Sequence, residues 1–191
     1  MARERKFSIE QLFQATRELV VQHGYEGFSF GPLANRLEVS RGTLYKYYEN
    51  KEELISDFMI YEMNLFLVDL KEIDTHKGFK DQFDFLFTLM FSHSTVHQLL
   101  GLAQQLQTHA NEKVKANIKQ LEILHQVMYT QLKGFIQLGR GEKLLKPQLP
   151  DMLILGMIFQ TIAIPNHFGI PKSEWVESIK EMICHGMFIE K

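Results

Sequence analysis

The chain has 191 residues, 45% of them hydrophobic and 23% charged, with a net charge of −2. This is long enough to bury a substantial core, and the composition is that of an ordinary globular chain, which excludes a disordered or collagen-like one. A single cysteine, Cys184, excludes an internal disulfide and fits a reducing cytoplasm, and the opening MARERKF is followed by no apolar stretch of the kind a secretory signal needs. Charge is spread unevenly. Residues 1 to 51 carry eight Lys or Arg against six Asp or Glu, whereas the remaining 140 carry 13 against 17. The excess of base lies in the first quarter, the part to read for a nucleic-acid partner.

In chain order, Arg3, Arg5 and Lys6 form a basic arm, able to reach phosphates or a minor groove and equally able to be a solvated terminus. Ser8 with Gln11 makes a capping box, and Ile9, Leu12, Phe13, Thr16, Leu19, Val20 and His23 recur at helical spacing until Gly24 stops the helix. His23 there is a partner for the C-terminal dipole. Ser29 caps a second, short helix, with Phe28 and Leu33 as its hydrophobic staple and Pro32 in the first turn, where a missing N–H costs little. Leu33, Ala34 and Leu37 form its apolar stripe and Val39 plugs the turn. Ser40 then caps another short helix that carries Leu44 and Tyr48 inward. This is the layout of a helix-turn-helix, in which the second helix enters the DNA major groove.

The outward face of that second helix holds Arg41, Gly42, Thr43, Tyr45, Lys46 and Tyr47, with no carboxylate until Glu49. Arg41 and Thr43 lie at the helix N-terminus, the end that meets base edges in this docking geometry. Tyr45, Lys46, Tyr47 and Lys51 suit phosphate contacts. Ser29 and Ser40, at the two caps, complete the expected DNA-binding set.

The run from Phe28 to Leu54, with S-x-G-T-L-Y-x-Y-Y followed by N-K-E-E-L, resembles the DNA-binding signature of the tetracycline-repressor (TetR) family of transcriptional regulators. By that resemblance Arg41, Thr43 and Lys46 match the variable positions that face DNA, Tyr45 and Tyr47 the backbone contacts, and Lys51 a phosphate clamp on the fourth helix. One position departs: the family's turn usually holds Gly, and this chain has Glu38. A non-Gly residue at a left-handed position is strained by roughly 1 kcal/mol, and its charge lies near the DNA.

Asn50 and Glu53 form the next capping pair, opening a helix that runs to about Glu72 with Leu54, Phe58, Tyr61, Leu65 and Val68 on one side. With no internal Gly or Pro it reads as a lever from a DNA-binding domain, residues 1–50, into a ligand-binding and dimerisation domain, residues 51–191. From Thr75 onward every strong pattern is helical, in segments 78–93, 96–108 and 112–138, so the expected class is all-α. Residues 152 to 164 contain no charged side chain, which predicts a helix buried on more than one side and ended by Pro165. At 13 residues it is too short to span a bilayer, and no membrane partner is expected. Ser173 is the expected cap of a last helix. Met152, Leu155 and Phe159 of the first of these helices, with Trp175, Ile179, Met182, Ile183, Gly186 and Met187 of the second, form the candidate dimer interface. The resemblance implies the same: the last two helices of TetR-family proteins pair into a four-helix dimer contact.

Phe83, Phe87, Met90, Gln104, His109, Tyr129 and Phe159 could line a cavity for a small hydrophobic effector, apolar with a few uncharged anchors, although core packing explains the Phe residues equally well. His93 and His97 stand at i, i+4, but Ser-Thr-Val between them lacks the Glu a zinc hydrolase needs, and spacing suggests no third ligand. No nucleophile elbow or phosphate-cradling Gly loop is present, and Cys184 sits in an apolar stripe as a buried, inert thiol. No metal, cofactor or enzymatic activity is expected. The expected function is a cytoplasmic homodimeric regulator, most simply a repressor released from a palindromic operator by its effector. An adaptor whose second domain binds a protein, and more remotely a helical enzyme, are the alternatives.

Overall fold

The structure is a computed structural model and describes residues 6–93 and 111–187; for Met187 it describes the backbone only. Every regular element of these residues is helical. In chain order they are α1 (Ile9–Gly27), α2 (Phe30–Arg36), α3 (Arg41–Leu44), α4 (Lys51–Leu70), a 3₁₀ turn (Lys71–Thr75), α5 (Gly78–Ser92), α6 (Glu112–Gln131), α7 (Lys133–Gly141), α8 (Asp151–Gln160), a second 3₁₀ turn (Thr161–Ala163) and α9 (Lys172–Met187). None of these helices is long and apolar enough to cross a membrane. The chain divides into two compact units. Of the described residues, one unit takes those up to Met63 with 111–122, and the other takes 64–93 with those from Ile123 onward.

In the first unit, α1 opens on the expected capping box: the Gln11 N–H donates to Ser8 Oγ at 3.1 Å and the Ser8 N–H to Gln11 Oε1 at 2.8 Å. Gly24, at φ 67° and ψ 176°, interrupts the helix as expected, but one further turn follows before Phe28. Leu12, Phe13, Thr16, Leu19 and Val20 are buried, and the Phe13 ring meets Phe58 at 5.9 Å and Tyr61 at 4.8 Å. The Arg17 guanidinium pairs with Glu62, a carboxylate that is almost wholly buried. On α4 the buried positions of this unit are Leu54, Ile55, Phe58, Met59, Glu62 and Met63; in the second unit the same helix buries Phe66, Leu67 and Leu70, whereas Val68 is 59% exposed. The expected stripe through Tyr61, Leu65 and Val68 is therefore displaced. Apolar residues lie on more than one face of α4, so helical spacing alone selects no single buried stripe. From α6, Asn117 Nδ2 donates to Ser56 Oγ at 2.9 Å and Asp57 Oδ1 at 2.6 Å, and Lys113 Nζ lies 3.0 Å from Asp57 Oδ2.

In the second unit, the Phe79 ring stacks on Phe135 at 4.7 Å, and Phe83 continues the row to Phe87 at 4.8 Å. Gly139 is required beneath that stack, because a Cβ there would sit 2.7 Å from the Phe79 ring and from Leu145 Cδ1. No side chain of its own caps α5; Glu142, from beyond α7, accepts the Phe79 N–H at 3.1 Å. The helix expected over 112–138 is broken at Leu132 (ψ 0°) into α6 and α7. α9 begins at Lys172, so Ser173 lies inside its first turn and is not the cap; the Trp175 N–H instead bonds the Pro171 carbonyl at 2.9 Å. The charge-free helix is also not buried on both sides. Ile154, Leu155 and Ile158 of α8 are buried, but Leu153 and Met157 are more than half exposed. The chain packs only one face of α8, and that leaves the other apolar face bare. Cys184 is half-buried, and burial pushes its thiol pKa up.

Candidate nucleic-acid interface

The turn between α2 and α3 is built by backbone bonds that suit a left-handed residue. Leu37 caps α2, the Glu38 N–H donates to Asn35 O at 3.2 Å, and the Val39 N–H reaches back to Ala34 O at 2.9 Å. This pair is the Schellman motif, which needs αL at the residue after the cap. Glu38 occupies that place at φ 53°, so the strain expected from the sequence is present. Phe28 and Leu33, the staple, are both buried and fix the entry to α2. Ser29 holds the N-cap position of α2, but its side chain makes no capping hydrogen bond.

Replacing Glu38 by Gly should raise stability by up to about 1 kcal/mol, the left-handed cost less the extra entropy glycine adds to the unfolded chain. It also removes an exposed negative charge beside the recognition face. Thermal unfolding and DNA titration check both effects, and a lower melting temperature would show that Glu38 contributes a contact that outweighs its strain.

Ser40 caps α3, its Oγ accepting the Thr43 N–H at 3.2 Å and lying 2.9 Å from Thr43 Oγ1. Helical bonding covers Arg41–Leu44 and then tightens, with the Lys46 and Tyr47 N–H groups donating three residues back to Thr43 and Leu44 carbonyls. The recognition element is thus one α-helical turn continued by tighter turns. Leu44 and Tyr48 are buried, as their inward placement required. Arg41, Gly42, Tyr45 and Lys46 are exposed, and Thr43 and Tyr47 partly so. Two aromatic contacts hold the tyrosines: Tyr45 meets Phe30 edge-on at 5.0 Å, and Tyr47 meets Phe7 edge-on at 5.7 Å. Fixed rings on an exposed basic face lose little entropy when they meet a sugar-phosphate backbone.

Lys51 stands at the first turn of α4 but is occupied. Its Nζ lies 4.2 Å over the Tyr25 ring and donates to the Tyr25 carbonyl at 3.3 Å, and the Tyr25 hydroxyl donates to Glu52 at 3.1 Å. Burial, then the Glu52 charge, raise the Tyr25 pKa, so the phenol remains a neutral donor. Sequence spacing did not single out Tyr25, which holds the Lys51 ammonium, because it follows the Gly24 break and belongs to no apolar stripe. Asn50 Oδ1 accepts the Glu53 N–H at 2.9 Å, and the Glu53 carboxylate accepts the Glu49 N–H at 3.0 Å and Asn111 Nδ2 at 2.6 Å. Lys113 lies 4.6 Å over the Tyr48 ring. The start of α6 is therefore tied to the residues that end the recognition element, a contact across some 60 residues that no local motif announces.

Of the expected effector residues, Phe83, Phe87 and Met90 are buried in the core, while Tyr129 and Phe159 meet edge-on at 6.1 Å. Gln104 and His109 lie outside the described residues, as does His97; His93 pairs with Asp69 at 3.1 Å. Of the expected interface residues, Leu155, Ile179 and Ile183 are buried within the chain and Phe159 packs on Phe66 at 6.3 Å. Met152 and Met182 are exposed, as is Gly186, and Trp175 is half-buried. Leu153, Met157 and Ile164, with Ile179, Met182 and Ile183 opposite, line an apolar groove of about 400 Å³ between α8 and α9.

Residues 12–57 match the family described as bacterial regulatory proteins, tetR family. An uncharacterized HTH-type transcriptional regulator of Haemophilus influenzae is 36% identical over 75 residues, which are 39% of this chain and 40% of that protein. The fatty acid metabolism regulator protein of Bacillus subtilis is 24% identical over 159 residues, covering 80% of each chain. Among solved structures, a ketosteroid transcriptional regulator of Mycobacterium tuberculosis superposes with a TM-score of 0.69 at 14% identity, over 100% of this chain and 98% of that one, a likeness of fold.

Proposed function

We propose that this chain, whose residues 12–57 match the tetR family of bacterial regulatory proteins, is a transcription regulator and not an enzyme, and that it acts in the cytoplasm as a homodimeric repressor. Its effector is a small hydrophobic molecule, and its operator is a palindrome. The observation that carries the reading is the face of α3: an exposed arginine and lysine with fixed tyrosine rings, free of carboxylates, on a capped turn inside the stretch that matches the family. The dimer is supported by the bare apolar groove between α8 and α9, which a second copy would cover. The relatives whose names place them in fatty acid and ketosteroid regulation support an apolar effector. Two recognition elements one DNA turn apart, roughly 34 Å, read the half-sites, and effector binding shifts the population toward dimers that no longer match that spacing.

Two variants test it. Arg41 sits at the first position past the cap, where a bidentate contact to guanine is possible, so Arg41→Ala costs about 1 to 3 kcal/mol on the operator and relaxes preference at one base position per half-site. Lys51→Ala weakens operator and scrambled duplex alike and lowers the slope of log affinity against log salt by about one per subunit, because the ammonium now over Tyr25 is the one offered to a phosphate. Titrations of both variants on the two duplexes at several salt concentrations decide the matter. If neither variant changes binding, α3 is not the DNA-reading element.

A further inference from the structure

A second groove lies on the other side of α8. Gln126, Tyr129, Thr130 and Lys133 recur at i, i+3, i+4 and i+7 along α6 and the start of α7, and face Met152 and Leu155 across a space of about 460 Å³. That volume is within the ~300–1,000 Å³ typical of small-molecule sites, and Ile136 adds to the apolar floor. The charges on its rim are not equivalent. Asp151 is already committed to Arg140 at 2.8 Å, whereas Lys133 is exposed and has no ion-pair or hydrogen-bond partner among the described residues. The Tyr129 hydroxyl also has no hydrogen-bond partner there, while its ring is held edge-on by Phe159 at 6.1 Å. Burial raises the Tyr129 pKa, which keeps the phenol a donor. The groove thus offers apolar walls, one uncommitted cation and one uncommitted neutral donor.

We propose that this groove binds an amphiphile bearing a single carboxylate, its head held by Lys133 and the Tyr129 hydroxyl and its chain lying along Ile136, Met152 and Leu155. A neutral apolar ligand would leave the ammonium unused, and a dianion would bring a second charge toward Asp151. The inference rests on the reading of the chain as an effector-responsive regulator and names the class of effector.

The test uses the full-length protein, with decanoate and decan-1-ol as probes in isothermal titration. Decanoate should bind about tenfold or more tightly than the alcohol, since a hydrogen bond to a charged group is the stronger kind. Lys133→Met should remove most of the advantage of decanoate over the alcohol, and Tyr129→Phe should weaken decanoate by roughly three- to tenfold. Neither change touches a packed apolar contact of the core, and unchanged melting temperatures establish that both variants fold. Equal affinity of the two probes, no decanoate binding up to millimolar concentration, or wild-type decanoate binding by Lys133→Met each overturns the proposal. An operator titration with decanoate present separates the two levels. Lys133-dependent binding without loss of operator affinity upholds the groove and removes the effector-response reading. Loss of operator affinity that persists in Lys133→Met does the reverse.

Discussion

Arg17→Met should lower stability by about 3 kcal/mol, which for a chain of this size is a fall of roughly 6–12 °C in melting temperature. The reason is Glu62. Its side chain is 2% exposed, and Arg17 is the partner the structure gives it, so the substitution strands a carboxylate inside the first unit. Breaking a buried pair from one side costs about 3–5 kcal/mol, and the lower end applies because the Arg17 side chain is 42% exposed and part of its charge is already hydrated. The double variant Arg17→Met with Glu62→Leu should regain most of the loss, since well-packed apolar groups often replace a buried pair at no cost. Thermal or urea unfolding of the two variants checks this. If the double variant is as unstable as the single one, packing of the Arg17 stem and not the stranded charge is responsible.

Met157→Glu should convert the protein to a monomer at micromolar concentration and reduce operator affinity by about 10²–10⁴-fold, the advantage that joining two half-site readers confers. Met157 is 54% exposed in the protomer, and Leu153 and Met182 beside the same groove are 51% and 77% exposed. A carboxylate at this position is solvated in the monomer and would be buried without a partner in a dimer, so it opposes association without disturbing the fold. Val21→Glu, at a residue 64% exposed on α1, is the control and should leave sedimentation unchanged. A Met157→Glu protein that still sediments as a dimer would remove the α8–α9 groove as the contact.

What the sequence alone determined is local. Capping pairs such as Ser8 with Gln11 and Asn50 with Glu53 involve groups three residues apart, so composition and spacing reveal them, although Ser29 makes no capping bond and Ser173 is not a cap. The strained turn at Glu38 was legible for the same reason, because a six-residue backbone motif dictates the left-handed position whatever surrounds it. The exposed basic face of α3 followed from turning Leu44 and Tyr48 inward.

The tertiary structure decided everything that depends on a distant partner. Glu62 can be buried on α4 because Arg17, 45 residues away, pairs with it, a partner that local spacing does not announce. The cap of α5 comes from Glu142, 63 residues away from Phe79, and the tie between Glu53 and Asn111 spans 58. The charge-free helix was legible as apolar, but which of its faces is satisfied within the protomer depends on what packs there. Hydrophobic spacing reports that a surface must be covered; only the packed chain shows which covering it has and which faces it leaves bare.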